Sequence, residues 1–195
     1  MAYEMKPLAC DPRGIKGMSE QLILSHYESN YGGAVKRLNA ITAQLAALDF
    51  AGAPVFTVNG LKREELIAAN SMILHEVFFA SLGEASEPDA MMRDALARDF
   101  GSVERWCAEF TAMGKALGGG SGWVLLTWSR RDEKLVNQWA ADHAHSLARG
   151  EPILALDMYE HSYHMDYGAK AAAYVNAFIA AIDWPGVRRR LDACR

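Results

Sequence analysis

Apolar positions recur at helical spacing through most of the first half of the chain. Leu22, His26, Ala34, Leu38, Ile41, Leu45 and Leu48 follow one another at steps of three, four or eight, which is the period of one buried helix face. Ser19 precedes this run as a cap, so a helix is predicted from about Glu20 to Leu48. Gly32-Gly33 interrupts it. A glycine pair costs about 2 kcal/mol relative to alanine in a helix interior, and a kink or a close backbone contact is expected there. Asp49 to Gly60, with Pro54, reads as a loop. A second long helix is predicted from about Lys62 to Leu82, ended by Gly83.

The pattern then changes. Glu84-Ala85-Ser86-Glu87-Pro88 reads as a boundary, with Pro88 suited to the first turn of the next helix. A further helix is predicted over Val103–Leu117 behind the cap Ser102. Gly118-Gly119-Gly120-Ser121-Gly122 breaks it; the run lacks the Lys-Ser/Thr of a phosphate-cradling loop, and no strand precedes it. Trp123–Ser129 and Leu135–Ala141 flank the turn Arg130-Arg131-Asp132-Glu133 and read as a hairpin, with a third strand over Pro152–Asp157. From Tyr159 the helical period returns through Tyr163, Tyr167, Ala171, Tyr174, Phe178 and Ile182, and Trp184-Pro185-Gly186 separates a short last helix. The fold class predicted is α+β. A helical hairpin over residues 1–85 is followed by an α/β half with a three-stranded antiparallel sheet over residues 86–195.

Composition narrows the classes of function. The 195 residues are 51% hydrophobic, enough for a real core. A net charge of -4 argues against a nucleic-acid surface, and Arg188-Arg189-Arg190 reads as a solvated helix end. No run of ~18 apolar residues exists to span a membrane, and Met1 to Gly14 is too polar for a signal peptide. Cys10, Cys107 and Cys194 are too few and too scattered for a zinc pattern or full pairing. Reduced thiols in a cytoplasmic protein are expected.

Chemistry enters with His26, His75, Asp157 and His161. Three neutral imidazoles and one carboxylate suit iron or manganese. Singly, each residue has an ordinary explanation: a helical histidine is usually a core or surface residue, and a carboxylate at a strand end is often a cap. His75 lies in the apolar run Ile73-Leu74-His75-Glu76-Val77-Phe78-Phe79, where a buried imidazole needs a partner. His161 follows Asp157 by four residues, on the same face if the chain there is helical. His143, His145 and His164 are further candidates that spacing does not rank.

Taken together, four segments resemble the iron/manganese superoxide dismutase family in the right order. They are Ser25-His26-Tyr27 followed by Leu38-Asn39, Asn70–Phe79 around His75, Gly120-Ser121-Gly122-Trp123, and Asp157-Met158-Tyr159-Glu160-His161-Ser162-Tyr163. The resemblance implies that His26, His75, Asp157 and His161 bind one iron or manganese ion per subunit, with solvent as a fifth ligand. It implies dismutation of superoxide to dioxygen and hydrogen peroxide, and a homodimer, or a tetramer built from it, in which Glu160 bridges to the partner's site. A divergent peroxidase-like enzyme and a low-turnover metal-binding paralogue are the alternatives.

The surroundings of the ligands depart from the family's pattern. Ala34 stands where a gateway tyrosine is usual, Asn30 where a histidine is, and His164 where a tyrosine from the neighbouring subunit is. Phe79 and Tyr159 replace pocket tryptophans, whereas Trp123 is kept. The glutamine that usually contacts the metal-bound solvent is absent: Ser71 occupies its helix position, and His143 aligns with its strand position. His143 is therefore expected to contact that solvent. Asn30, Tyr31 and His164 are candidates for a rebuilt gateway, and turnover below the family's norm is expected.

Overall fold

The computed structural model describes residues 2–195. Its first half is a helical hairpin. One arm is a continuous rod made of α1 (Glu20–Ser25), a π-helical segment (His26–Tyr31) and α2 (Gly32–Ala47). Ser19 caps it, its hydroxyl accepting the Leu22 N–H at 3.1 Å. The predicted irregularity is real but lies ahead of the glycine pair. The widened i→i+5 turn brings His26 and Tyr31, five residues apart, both inward at 1% exposure. Gly32 answers to a close approach, since a Cβ there would sit 3.1 Å from Met5 Sδ.

The other arm, α3, runs over Val55–Ala80 and is longer than predicted. The loop expected to reach Gly60 ends at Pro54, because proline is tolerated at a helix start and one exposed glycine does not stop a helix that packing supports. The second half opens with α4 (Ala90–Phe100), capped by Asp89, whose Oδ1 accepts the Met92 N–H at 2.8 Å. Pro88 thus precedes the cap instead of occupying the first turn. Then come α5 (Val103–Ala116), β1 (Trp123–Ser129), β2 (Lys134–Ala140) and β3 (Gly150–Asp157).

The sheet is antiparallel in the order β2-β1-β3, as predicted, and the central strand β1 is buried along its whole length. Register pairs Trp123 with Asp157 at one end of β1. Gly122, just before it, has φ +127, and a Cβ there would lie 2.3 Å from Ala140 O; only glycine fits that entry to the strand. After β3 the chain is not the single helix predicted. It makes a 3-10 turn (Glu160–Ser162), a short α6 (His164–Tyr167), a break at Gly168, then α7 (Ala171–Ala180) and α8 (Trp184–Cys194). Gly168, at φ 52, provides the positive φ that ends α6.

The two halves are pinned beside the site. α3 packs against β3. At its C-terminal end Gly83 N–H donates to Ala181 O at 3.0 Å, and Asp183 N–H to Ser81 O at 2.8 Å. Arg190 of α8 donates to Ala80 O (3.0 Å), Ser81 Oγ (3.1 Å) and Ile153 O (2.7 Å), joining α3 to β3. Burial lowers its guanidinium to about 10, still charged at neutral pH. No helix among the described residues is long and apolar enough to cross a membrane.

Candidate metal centre

Four chain segments meet at one buried point. The π-segment brings His26, the middle of α3 brings His75, the end of β3 brings Asp157, and the following 3-10 turn brings back His161. One candidate ligand atom from each lies within 4.8 Å of all the others. Asp157 Oδ2 is the hub, 3.2 Å from His26 Nε2, 3.7 Å from His75 Nε2 and 3.2 Å from His161 Nε2. Asp157 and His161 do not share a helix, so the condition on which they would lie on one helical face is not met. The strand ends at Asp157, whose Oδ1 accepts the Tyr159 N–H at 2.8 Å, and that local turn reverses the chain towards the site. Oδ1 thus closes a local turn while Oδ2 faces the cluster, and the helix-cap reading of this carboxylate does not hold, because the 3-10 turn has Tyr159 at its N-cap and no side-chain cap. The backbone oxygen of Asp157 is held by Tyr174 Oη at 2.9 Å and Ser162 Oγ at 2.8 Å.

The donor set has the chemistry of a metal site. His26 and His75 are 1% exposed and Asp157 is closed to solvent, whereas the His161 side chain is 27% exposed. His26 Nδ1, His26 Nε2 and His75 Nε2 are buried and make no hydrogen bond. Buried polar atoms without partners are costly and rare, and a cation among them removes the deficit. His75 Nδ1 lies 2.6 Å from Ser71 O, one turn earlier on α3. A carbonyl only accepts, so Nδ1 carries the proton and Nε2 keeps its lone pair for the cluster. Burial, with His26 alongside, lowers the His75 imidazole to about 3; burial also lowers His26. Burial alone would raise the Asp157 carboxyl, but His161 and His26 outweigh it and hold it below the usual carboxylate range. Neutral imidazoles around an ionised carboxylate are the protonation states a redox metal ion requires.

Around this set the structure places several predicted residues and displaces others. The Trp123 ring meets His75 edge-on at 5.3 Å, Tyr159 stacks on His161 at 5.4 Å, and Phe79 lies 5.0 Å from His26. His143 lies 6.1 Å from His75 and stacks on Tyr159 at 4.9 Å, with an interplanar angle of 11°. Tyr31 lies 6.4 Å from His75. Its hydroxyl accepts the Lys6 N–H at 2.8 Å and donates to Glu76 Oε1 at 3.1 Å. Both capacities are thus committed to the N-terminal segment and α3. The candidates Asn30 and Ala34 stay on the first rod; Ala34 is packed in the core, and Asn30 makes no side-chain hydrogen bond among the described residues. Glu160 and His164 are exposed. His145 pairs with Asp142 at 2.8 Å, away from the cluster.

Sequence reasoning missed Phe78, 4.8 Å from His26, and the group formed by Glu76, Lys6 and Tyr27. Tyr27 Oη donates to Lys6 O at 2.7 Å, and Lys6 Nζ pairs with Glu76. The one signal was Glu76 inside the apolar run next to His75.

This fold and this buried set of three imidazoles and one carboxylate define a mononuclear metalloprotein of the redox-metal kind. The family model "Iron/manganese superoxide dismutases, C-terminal domain" matches residues 88–190. Over 99% of this chain and 98% of its own length, "Superoxide dismutase [Fe]" of Cupriavidus metallidurans is 72% identical. "Superoxide dismutase [Mn] 1" of Halobacterium salinarum is 34% identical over 97% of this chain and 95% of its own length. "Superoxide dismutase [Fe]" of Aquifex pyrophilus is 30% identical over 93% and 87%. The chain belongs to the iron/manganese superoxide dismutase family.

Proposed function

We infer that this chain converts two superoxide ions and two protons into dioxygen and hydrogen peroxide. The observation that carries the reading is the group of orphaned imidazole nitrogens gathered on one buried carboxylate in a chain of this family. An iron or manganese ion held there, one per chain, would supply the one-electron couple that dismutation needs. Iron is favoured, because the relative of 72% identity is named for iron. The proposed ligands are His26, His75, Asp157 and His161. Burial keeps the first two imidazoles unprotonated, the Ser71 carbonyl fixes the tautomer of His75, and Asp157 adds one negative charge.

His143 is proposed to hold a proton-bearing solvent molecule at the site. Trp123 Nε1–H donates to His143 Nδ1 at 3.0 Å. An indole nitrogen is a donor only, so the neutral ring carries its proton on Nε2. Burial lowers the His143 imidazole, which keeps the ring neutral. The exposed edge of His161 is the approach proposed for a small anion, past Tyr159. Asn30, Ala34 and His164 take the gateway positions without a phenol, which supports turnover below the family's norm.

The proposal extends to assembly. Glu160 and His164 are exposed beside His161, and Met165 between them and α7 is 50% exposed. A two-fold contact on this patch lets Glu160 reach the last histidine of the partner. The division at residue 85, with the site between the halves, and a cytoplasmic location complete the reading. The test is superoxide consumption by iron-loaded and metal-free protein. Metal-dependent consumption, lost in His75→Ala, is expected; equal rates in the two forms overturn the reading.

A further inference from the structure

We propose that Asn70 is a positioning residue that fixes His143 from α3. The inference rests on the role given to His143 above, and it concerns how that side chain is kept in place. His143 lies in residues 141–149, between β2 and β3, in neither helix nor strand. Part of what holds this segment lies within it, and part comes from the loop before β1 and from the β1–β2 hairpin. Asp142 Oδ1 accepts the Ala144 N–H at 2.7 Å and faces His145 Nδ1 at 2.8 Å, and Ser121 Oγ donates to Ala141 O at 3.1 Å.

Two hydrogen bonds reach His143 itself. Trp123 holds the imidazole at Nδ1. Asn70 Nδ2 donates to the His143 backbone oxygen at 2.6 Å, across 73 residues of sequence. Among the described residues this is the one hydrogen bond from α3 to the segment. Its polarity is fixed, because a carbonyl accepts only and the amide must present its NH2.

Asn70 is next to Ser71, the residue whose carbonyl orients His75. One turn of α3 therefore sets both a proposed ligand and the proposed donor. The separation of the His75 and His143 rings, 6.1 Å, is referred to a rigid helix and not to a coil segment. Sites supported in this way are held more closely than sites carried by loops alone. The imidazole needs such support, since His143 Nε2 has no protein partner among the described residues and is the end left for solvent.

The experiment compares iron-loaded Asn70→Ala, Asn70→Asp, His143→Ala and the double variant Asn70→Ala/His143→Ala. Reduction potential is measured by mediated titration, and hydrogen exchange is measured at the amides of 142–149. Asn70→Ala is expected to speed that exchange about fivefold, the equivalent of one ordinary hydrogen bond. Asn70→Asp, which sets a carboxylate against the carbonyl, is expected to speed it more. The potential of Asn70→Ala is expected to move in the same direction as that of His143→Ala. The double variant is expected to match His143→Ala alone, because Asn70 acts through His143. Wild-type exchange and wild-type potential in Asn70→Ala overturn the proposal, and so does an additive shift in the double variant. If His143→Ala leaves the potential unchanged, the role of His143 fails, and exchange alone then decides Asn70: faster exchange upholds the anchor and unchanged exchange removes it.

Discussion

Trp123→Phe separates the ligand set from the group placed to assist it. Trp123 is fully buried, opens β1 opposite Asp157, and donates its indole N–H to His143 at 3.0 Å. Phenylalanine keeps most of the ring packing. Full truncation of a buried tryptophan costs about 3–5 kcal/mol, so losing about a third of the indole ring costs about 1–2 kcal/mol. Leaving the His143 Nδ1 acceptor without a donor adds about 1 kcal/mol, the low end of the range because His143 is only partly buried. The sum, about 2–3 kcal/mol, lowers Tm by roughly 4–12 °C in a chain of this size. The proton of the neutral imidazole is then free to move to Nδ1, which turns Nε2 from donor to acceptor in part of the population. Iron content, read by mass spectrometry, is expected to stay near one per chain while dismutation slows. A variant with wild-type Tm and wild-type turnover would refute the argument that this bond holds His143.

Other variants bear on the remaining parts of the account. His75→Ala is expected to lower metal content at least about tenfold, since even the outer partners of a ligand are worth that much; full metal retention sinks the assignment. Glu160→Ala is expected to weaken dimerisation and metal retention together, and light scattering that shows a folded, metal-loaded monomer for the parent protein contradicts the interface. In the metal-free chain, His75 stays neutral down to about 3, whereas an unfolded imidazole takes its proton near ~6.5. The unfolded state binds more protons in that window, so the stability contributed is complete above ~6.5 and is lost as pH falls toward 3. Urea midpoints that do not fall between pH 6.5 and 4 would count against the burial of this histidine in the metal-free fold.

The helices, the sheet and the four clustered residues were legible because each leaves a periodic or compositional mark. β1 and β3 are apolar runs, and the Asp157–His161 pair stands in a motif. The route by which that pair reaches the site was not legible. The strand end at Asp157 was expected, but a spacing of four did not show the side-chain-to-backbone turn and the 3-10 turn that follow it. The π-segment at His26–Tyr31 was hidden as well, because one extra residue in a helix leaves no composition signal; the glycine pair drew the expectation to the residues just after it. Asn70, Glu76 and Lys6 were given no role, since their importance depends on partners 73, 45 and 25 residues away. Tyr31 lies beside the cluster, but sequence could not say that its hydroxyl is committed to Lys6 and Glu76.

The most direct test of the central claim is the product balance of superoxide consumption by the iron-loaded protein, followed by stopped flow with dioxygen and peroxide quantified. The account predicts one dioxygen and one hydrogen peroxide for every two superoxide ions consumed, at a rate proportional to bound iron. Protein that carries one iron per chain yet consumes superoxide no faster than its metal-free form, or yields peroxide without dioxygen, would contradict it.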